Sequence, residues 1–254
     1  MRLFILHGGD CSVDKGRIFT PGVDEGTMLR IPIPLFLVET DDGERVLVDT
    51  GMHPVHVDDP GHTFRGLAPY DEWIRPIMGP EDTLEHRLGE LGLSVGDVTH
   101  VVNTHLHFDH CGQNSLFTEV PIILQREHYE AAKRDPSSYP SEYFDLPDLH
   151  YELIEGDRQL FRGIRGITAP GHAPGLMALL FELPNSGSIL LCTDAIDTRE
   201  HLDHDIWDHC PDPATARESA EKLKRIAAQE NATMLFGHDL EQWRTLRHAP
   251  QYYD

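Results

Sequence analysis

Short apolar runs dominate the first part of the chain and predict β-strands. One strand is expected at residues 3–6, and the runs 31–39 and 45–48 predict a hairpin. Pro32 and Pro34 indicate that the longer run is an edge strand or carries a bulge, because proline cannot donate to a ladder. The pair Gly8-Gly9 is read as a turn.

The middle of the first half lacks a clear period. Residues 52–80 are rich in Pro, Gly, His and Asp, and a loop of that length is usually functional, often as a lid over a site. After it, Asp82 is expected to cap a helix over residues 83–91, where leucines recur on one face.

The remaining sequence alternates between strand-like and helical patterns. Helices are predicted over residues 126–134 and from Pro213 onward, where Asp212 provides the N-cap. Strands are predicted at 98–102, 121–124, 151–154, 164–168, 177–181, 189–192 and 233–236. Strands with helices between them, and no linker or repeat, predict one layered α/β domain over residues 1–254.

Charge and cysteine usage narrow the class of protein. The chain has 21 Lys+Arg and 43 Asp+Glu, a formal charge of −22, which argues against nucleic acid and anionic membrane as partners. Its four scattered cysteines show no disulfide framework, and we see neither a signal peptide nor an apolar run of about 20 residues. We therefore expect a cytoplasmic protein, monomer or homodimer, acting on a small molecule.

One segment concentrates the candidate chemistry. Directly after an apolar strand comes Thr104-His105-Leu106-His107-Phe108-Asp109-His110, which places four potential metal ligands within six residues. Imidazoles and a carboxylate suit zinc-type ions, and this density is more typical of a pair of metals than of chance.

Three further candidates stand at the ends of later strands. His172 follows the strand at 164–168, Asp194 follows the strand at 189–192, and His238 follows the last strand. Each alone is more often a solvated or hydrogen-bonded residue, but strand ends on one rim of a sheet converge. Together with the first segment they predict a dinuclear site.

The pattern His-x-His-x-Asp-His with a later His, Asp and His resembles the metallo-β-lactamase superfamily, and within it the N-acyl-homoserine lactonases that degrade autoinducers. The likeness runs almost end to end and includes Leu47 to Met52, Thr104 to His110, Gln125-Arg126-Glu127, Ile154 to Asp157, Thr168 to His172 and Phe236 to Asp239. It implies an αβ/βα sandwich with two metals at the sheet edges.

The resemblance also implies a role for each ligand. One metal goes to His105, His107 and His172, the other to Asp109, His110 and His238, and Asp194 bridges them. The ions are expected to be divalent, zinc by preference, with iron, manganese or cobalt as alternatives. Other positions implied are Asp49, which steadies the ligand loop, and Phe108 and Phe64, which line the acyl channel.

The implied activity is opening of the lactone ring of N-acyl-homoserine lactones, which degrades a quorum-sensing signal. A hydroxide bridging the metals is expected to attack the carbonyl, with Asp109 orienting it and carrying its proton to the leaving alkoxide. Alternatives are another hydrolase of the same fold, whether another lactonase, a thioesterase or a phosphoesterase, and a non-catalytic metal-binding protein.

Two features depart from the family. The lactonases carry a substrate-binding tyrosine three residues after the bridging aspartate, where this chain has Asp197. Residues 200–212 are rich in His and Asp, which favours a solvated acidic lid over an auxiliary metal site.

Overall fold

The computed structural model describes residues 1–254 and places the apolar runs in two β-sheets. The strands are β1 (Arg2–Asp14), β2 (Met28–Glu39), β3 (Arg45–Val48), β4 (Ile74–Ile77), β5 (His100–Val102), β6 (Pro121–Gln125), β7 (His150–Ile154), β8 (Arg158–Phe161), β9 (Ile164–Thr168), β10 (Met177–Leu183), β11 (Gly187–Thr193), β12 (Thr233–Phe236) and β13 (Tyr252–Tyr253).

Helices connect these strands and cover the outer faces. They are α1 (Lys15–Ile18), α2 (Tyr70–Trp73), α3 (Leu84–Glu90), α4 (Phe108–Cys111), α5 (Arg126–Arg134), α6 (Ser141–Phe144), α7 (Arg199–His204), α8 (Pro213–Gln229) and α9 (Leu240–Trp243), with 3₁₀ turns at Pro54–Val57, Pro80–Asp82, Val95–Asp97 and Asn114–Leu116. None of the helices combines the length and apolar character needed to cross a bilayer.

The two sheets have different topologies. The first has eight strands in the order β13-β1-β2-β3-β5-β6-β7, with β4 also paired to β1. Within it, β3, β5, β6 and β7 are parallel neighbours. The second has five strands in the order β12-β11-β10-β9-β8, of which only β11 and β12 are parallel. Parallel neighbours bring their carboxyl ends to one edge, and this is where the histidine-rich segments begin.

Alternation along the strands explains the layers. In β1, Leu3 and Ile5 point between the sheets, where they join Phe181 and Leu191 of the second sheet. Phe4 and Leu6 point the other way and pack with Leu84 and Leu88 of α3 and other apolar residues. Apolar residues of α8 cover the second sheet in the same manner: Ala216, Ala220, Leu223 and Ala227. The layers of the domain are therefore ordered helix, sheet, sheet, helix.

The first strands differ from the sequence prediction. Gly8-Gly9 is not a turn but lies within β1, where the register with β2 shifts between His7 and Asp10. Gly9 has a φ of 94°, a bulge conformation that glycine adopts without strain. Pro32 and Pro34 pair with Asp10 and His7 at the two ends of this bulge, so the bulge prediction is confirmed and the edge prediction is wrong.

Two further predictions need correction. Residues 52–80 are not one loop, because they contain a 3₁₀ turn, α2 and β4, and β4 pairs with β1. The helix after them is capped by Thr83, whose side chain accepts from the backbone N–H of His86, rather than by Asp82. Asp82 instead closes the preceding 3₁₀ turn by accepting from the Gly79 N–H.

The segment 200–212 is only partly a solvated lid. Asp203, His204, Asp205 and Asp208 are exposed, as expected of a solvated surface. His201, Trp207 and Cys210 are buried, however, with 1%, 4% and 4% of their surface exposed. The lid prediction is therefore wrong for the inner face of this segment, which begins with α7.

A charged cluster ties β1 to the start of α3. His7 lies 3.4 Å from Asp10 Oδ1 and 3.5 Å from Asp82 Oδ1, and Arg87 donates to both Asp82 Oδ1 and the His7 carbonyl at 2.7 Å. Burial opposes protonation of His7, but the two carboxylates outweigh it and raise its pKa to about 9.

We expect His7→Gln to destabilise the protein by about 2 kcal/mol near pH 6, allowing for partial solvent screening. Because the folded-state pKa is raised from 6.5, this stability is fully present below pH 6.5 and is lost as the pH rises through about 9. Urea unfolding at pH 6 and pH 10 measures it. His86→Gln, an exposed histidine of α3, should show no such pH dependence.

Candidate metal centre

The ligand-rich segment is held by the turn after β5. That strand ends at Val102, and Thr104 and His105 lead into α4, which begins at Phe108. The short helix turns the chain so that Asp109 and His110 return toward the side chains of the preceding histidines. His105, Asp109 and His110 are all buried, with 0%, 7% and 4% exposed.

The later candidates come from the second sheet. His172 follows β9, while the parallel strands β11 and β12 end side by side and bring Asp194 close to His238. Thr193 has a φ of 51°, a left-handed conformation that is rare for a β-branched residue, and it coincides with a register shift in β11. This local strain redirects the chain and turns Asp194 into the site.

Three imidazoles form the first group. His107 Nδ1 lies 2.9 Å from His105 Nε2 and 3.0 Å from His172 Nε2. Asp194 Oδ2 completes the group at 3.5 Å from His105 Nε2 and 3.4 Å from His172 Nε2. Each pair of rings crosses at 78–85°, so their nitrogens converge on one point instead of stacking.

The second group shares Asp194 with the first. Asp194 Oδ1 lies 3.3 Å from both His110 Nε2 and His238 Nε2. Asp109 Oδ2 is farther from the same nitrogens, at 3.7 and 3.8 Å. The structure therefore brings all seven predicted ligands together in two adjoining groups, with one carboxylate oxygen of Asp194 facing each.

The hydrogen bonds outside the groups fit bound metal ions. His110 Nδ1 lies 2.8 Å from Asp49, and His238 Nδ1 lies 2.9 Å from the carbonyl of Pro32, so the outer nitrogens hold the protons. The inner atoms His110 Nε2 and Asp194 Oδ1 are buried and have no hydrogen-bond partner. Buried polar atoms without a partner are costly, and a divalent cation between these two atoms satisfies both.

The electrostatics differ between the groups. Burial, helped by neighbouring histidines, holds the pKa of His105 and His107 well below the usual range, so these rings are neutral and offer lone pairs. Burial also opposes ionisation of Asp194, but His110 and His238, whose own pKa values its negative charge helps to raise, outweigh burial and hold the pKa of Asp194 well below the usual value. Asp194 is therefore an anion, as a bridging ligand requires.

Asp49 steadies the ligand loop from behind. It follows β3 with a φ of 59°, and its carboxylate accepts from the Thr104 backbone N–H at 2.8 Å and the Thr104 hydroxyl at 2.7 Å in addition to contacting His110. One side chain thus fixes both the start of the loop and the orientation of a ligand ring.

We expect Asp49→Asn to lower metal affinity by about 10- to 100-fold, because the amide offers a weaker acceptor to His110. Titration of metal-free protein with zinc in competition with a chromophoric chelator measures this. Asp42→Asn, in an exposed turn, serves as the charge-matched control. Equal affinities in the two variants would contradict the role of Asp49.

Gly171 makes room for His172. Its φ is 132°, and a Cβ atom there would lie 2.4 Å from the backbone of Ala216 in α8. We expect Gly171→Ala to cost about 1–3 kcal/mol in stability and to reduce metal content, since the loop or the helix must move. Chemical unfolding and elemental analysis test this, with Gly89→Ala as a control at a position where a Cβ meets nothing within 4 Å.

Two residues that support the site escaped the sequence analysis. His128 of α5 accepts from the Leu106 N–H at 2.8 Å and donates to the Pro174 carbonyl at 2.7 Å, which joins the two ligand loops. Tyr139 stacks on His107 with ring centroids 4.9 Å apart. The sequence signal that could have identified His128 is its position next to the Gln125-Arg126-Glu127 motif. No sequence signal identifies Tyr139.

The predicted substrate residues lie around the centre. The rings of Phe108 and Phe64 pack edge to face with their centroids 4.8 Å apart, and each residue is 9% exposed. Asp197 is buried, and its Oδ2 faces His209 Nε2 at 2.9 Å. A carboxylate oxygen of Asp197 also lies within 4.8 Å of ligand atoms of Asp194 and His238.

Comparison with known proteins places the chain in a family. The profile of the metallo-β-lactamase superfamily matches residues 31–238, a range that contains all seven candidate ligands. This chain belongs to the metallo-β-lactamase superfamily. The two-sheet architecture confirms the fold predicted from the sequence, a metallo-β-lactamase αβ/βα sandwich.

Two superfamily members that are similar to this chain along their whole length are lactonases. The N-acyl homoserine lactonase AiiA of Bacillus thuringiensis subsp. kurstaki is 36% identical over 251 residues, covering 99% of this chain and 98% of that protein. The N-acyl homoserine lactonase AttM of Rhizobium radiobacter is 30% identical over 272 residues, covering 100% and 98%.

A solved superfamily structure shows the same fold. An N-acyl homoserine lactone hydrolase with the product N-hexanoyl-L-homoserine bound at its catalytic metal centre has a TM-score of 0.92 and 36% identity, with 99% of this chain and 98% of that chain covered. The fold of the present chain thus matches that of a lactone hydrolase from end to end.

Proposed function

We propose that this protein is a metal-dependent hydrolase that opens the lactone ring of N-acyl-homoserine lactones and so degrades a quorum-sensing signal. The observation that carries the proposal is the pair of ligand groups that share Asp194, in which the buried atoms His110 Nε2 and Asp194 Oδ1 face inward without a hydrogen-bond partner. Full-length similarity to N-acyl homoserine lactonases supports the substrate class.

We further propose two divalent ions per chain. The first is held by His105, His107 and His172, the second by Asp109, His110 and His238, and Asp194 is shared. All donors are nitrogen or oxygen, which suits Zn²⁺ best and also accommodates iron, manganese or cobalt. When bound, such ions supply an activated water near neutral pH and positive charge for the developing oxyanion.

Asp109 is the proposed proton carrier. Its carboxylate is buried but lies beyond hydrogen-bond distance of His110 and His238, so it retains a free acceptor position. Burial raises its pKa above the ordinary value, although the two histidines partly oppose this. A carboxyl group poised in this way can take a proton from the attacking water and deliver it to the ring alkoxide.

The aromatic wall is proposed to receive the acyl chain. Phe64 comes from the long segment 52–80, and Phe108 comes from the ligand loop itself, so their contact joins that segment to the ligand loop. An apolar pair at this position favours a substrate with a hydrocarbon tail next to its hydrolysable ring.

Other hydrolases of this fold are less well supported. A glutathione thioesterase or a nucleic-acid phosphodiesterase binds an anionic substrate, and the net charge of −22 disfavours both. A non-catalytic metal-binding protein is disfavoured because every predicted ligand is present and assembled.

A substrate panel tests the proposal. N-hexanoyl-homoserine lactone, a thioester and a phosphodiester are offered to the purified protein in weak buffer with a pH indicator. Lactone opening releases one proton per turnover, and mass spectrometry should show the addition of one water. Acidification with the thioester or the phosphodiester alone would reject the lactonase function and leave the fold intact.

A further inference from the structure

The buried part of the segment 197–209 forms a rigid support beside the metal centre. His201 and His209 stack with ring centroids 4.1 Å apart, and Phe19 stacks on His201 at 5.5 Å. His201 Nε2 lies 3.1 Å from the carbonyl of Phe19, which can only accept, so this nitrogen donates. Two stacking contacts and this hydrogen bond therefore hold His201 in place.

The support ends at the carboxylate of Asp197. Its Oδ2 accepts from His209 Nε2 at 2.9 Å, and His201 Nδ1 lies 3.6 Å from the same oxygen. The Asp197 backbone carbonyl also accepts from the His238 N–H at 2.8 Å. Asp197 Oδ1 makes no hydrogen bond within the chain. The residue is thus fixed at its backbone and at one oxygen, with the other oxygen available.

A third metal ion does not explain this arrangement. Nitrogen lone pairs lie in the plane of the ring, so rings that bind one ion must point toward it. The imidazoles of the first ligand group cross at 78–85°, whereas His201 and His209 are tilted by only 23°. Stacked rings direct their lone pairs past each other rather than to a common point.

A fixed carboxylate at this position can accept a hydrogen bond from a donor group on the substrate. When ionised it only accepts hydrogen bonds, so it cannot stabilise an oxyanion. If the substrate is an N-acyl-homoserine lactone, as in the proposed function, the amide N–H next to the ring is its one strong donor. We propose that Asp197 Oδ1 accepts this amide N–H and thereby orients the lactone over the metal centre, with His209 as a positioning residue.

The inference predicts discrimination between lactones with and without an amide. N-hexanoyl-homoserine lactone and γ-decalactone both carry the five-membered ring and an apolar chain, but only the first has an N–H. We expect Asp197→Ala to lower the ratio of their kcat/KM values by about 10- to 100-fold, which corresponds to a charged hydrogen bond, mainly through KM for the amide substrate.

Further variants keep the test decisive. Asp197→Asn retains an acceptor and should recover part of the ratio. His209→Phe keeps the stack but removes the donor, and should lower the ratio by a smaller factor. His204→Ala, exposed on α7, should match the wild type. If Asp197→Ala does not fold, the ratio of the two kcat/KM values in His209→Phe tests the proposal instead.

Three outcomes would overturn the inference. Equal losses on both lactones would place Asp197 in the reaction itself or in the fold, and no loss on either lactone would show that Asp197 does not contact the amide. Wild-type protein that opens γ-decalactone but not the amide substrate would also refute it. Inactivity of metal-loaded wild type toward every lactone would instead reject the proposed function.

Discussion

Asp109→Asn should lower kcat for N-hexanoyl-homoserine lactone by about 10²- to 10⁴-fold, the range for loss of a positioned acid or base. The amide keeps the shape and can still offer an oxygen to a metal, but it cannot carry a proton at neutral pH. Rates are compared at equal metal content per chain, measured by elemental analysis, so that loss of a ligand is separated from loss of proton transfer.

A charge-matched variant controls for the electrostatics of the whole molecule. Asp208→Asn removes one exposed negative charge from the same protein and should leave kcat unchanged. Near wild-type turnover in Asp109→Asn with intact metal would show that another group moves the proton.

Removing the metal ions should abolish lactone hydrolysis and weaken the fold together. An ion at one hundred times its Kd contributes about 2.7 kcal/mol, and in a domain of this size each kcal/mol shifts Tm by about 2–4 °C. We therefore expect dialysis against a chelator to lower Tm by roughly 5 °C or more per ion lost. Thermal unfolding followed by circular dichroism measures the shift.

Adding metal back to the chelated protein tests whether the loss of activity and stability is due to the ions. Adding two equivalents of zinc to the chelated protein should return both the activity and Tm, and protein dialysed without chelator controls for handling. Full activity in protein shown to contain one ion or fewer per chain would contradict the dinuclear centre.

Local chemistry explains which elements were predictable. The helix α8 begins at Pro213 after Asp212 in the structure, as its cap and period predict, and β9 and β12 keep their predicted bounds. These segments have periodic apolar faces and strong boundary residues. The two glycines of β1 lack such local signals. Whether Gly8-Gly9 forms a turn or a bulge depends on pairing with Pro32 and Pro34, in a strand more than 20 residues away.

The metal centre was more predictable than its surroundings for the same reason. Four of the ligands lie within six residues, so they can be recognised without knowing the fold. The other three follow predicted strands. His201 and His209 resembled a solvated acidic surface because their neighbours are acidic, yet they pack on Phe19, about 180 residues earlier in the chain. No local pattern reports such a contact.

The ligands extend from His105 to His238 and come from both sheets, which has a consequence for the order of folding. Ring closure over so long a segment is entropically costly, so the complete site cannot form until β5 has docked against β9, β11 and β12. Acquisition of zinc-binding capacity during refolding should therefore lag behind the change in tryptophan fluorescence. A stopped-flow experiment that pairs a zinc indicator with intrinsic fluorescence would resolve the two phases.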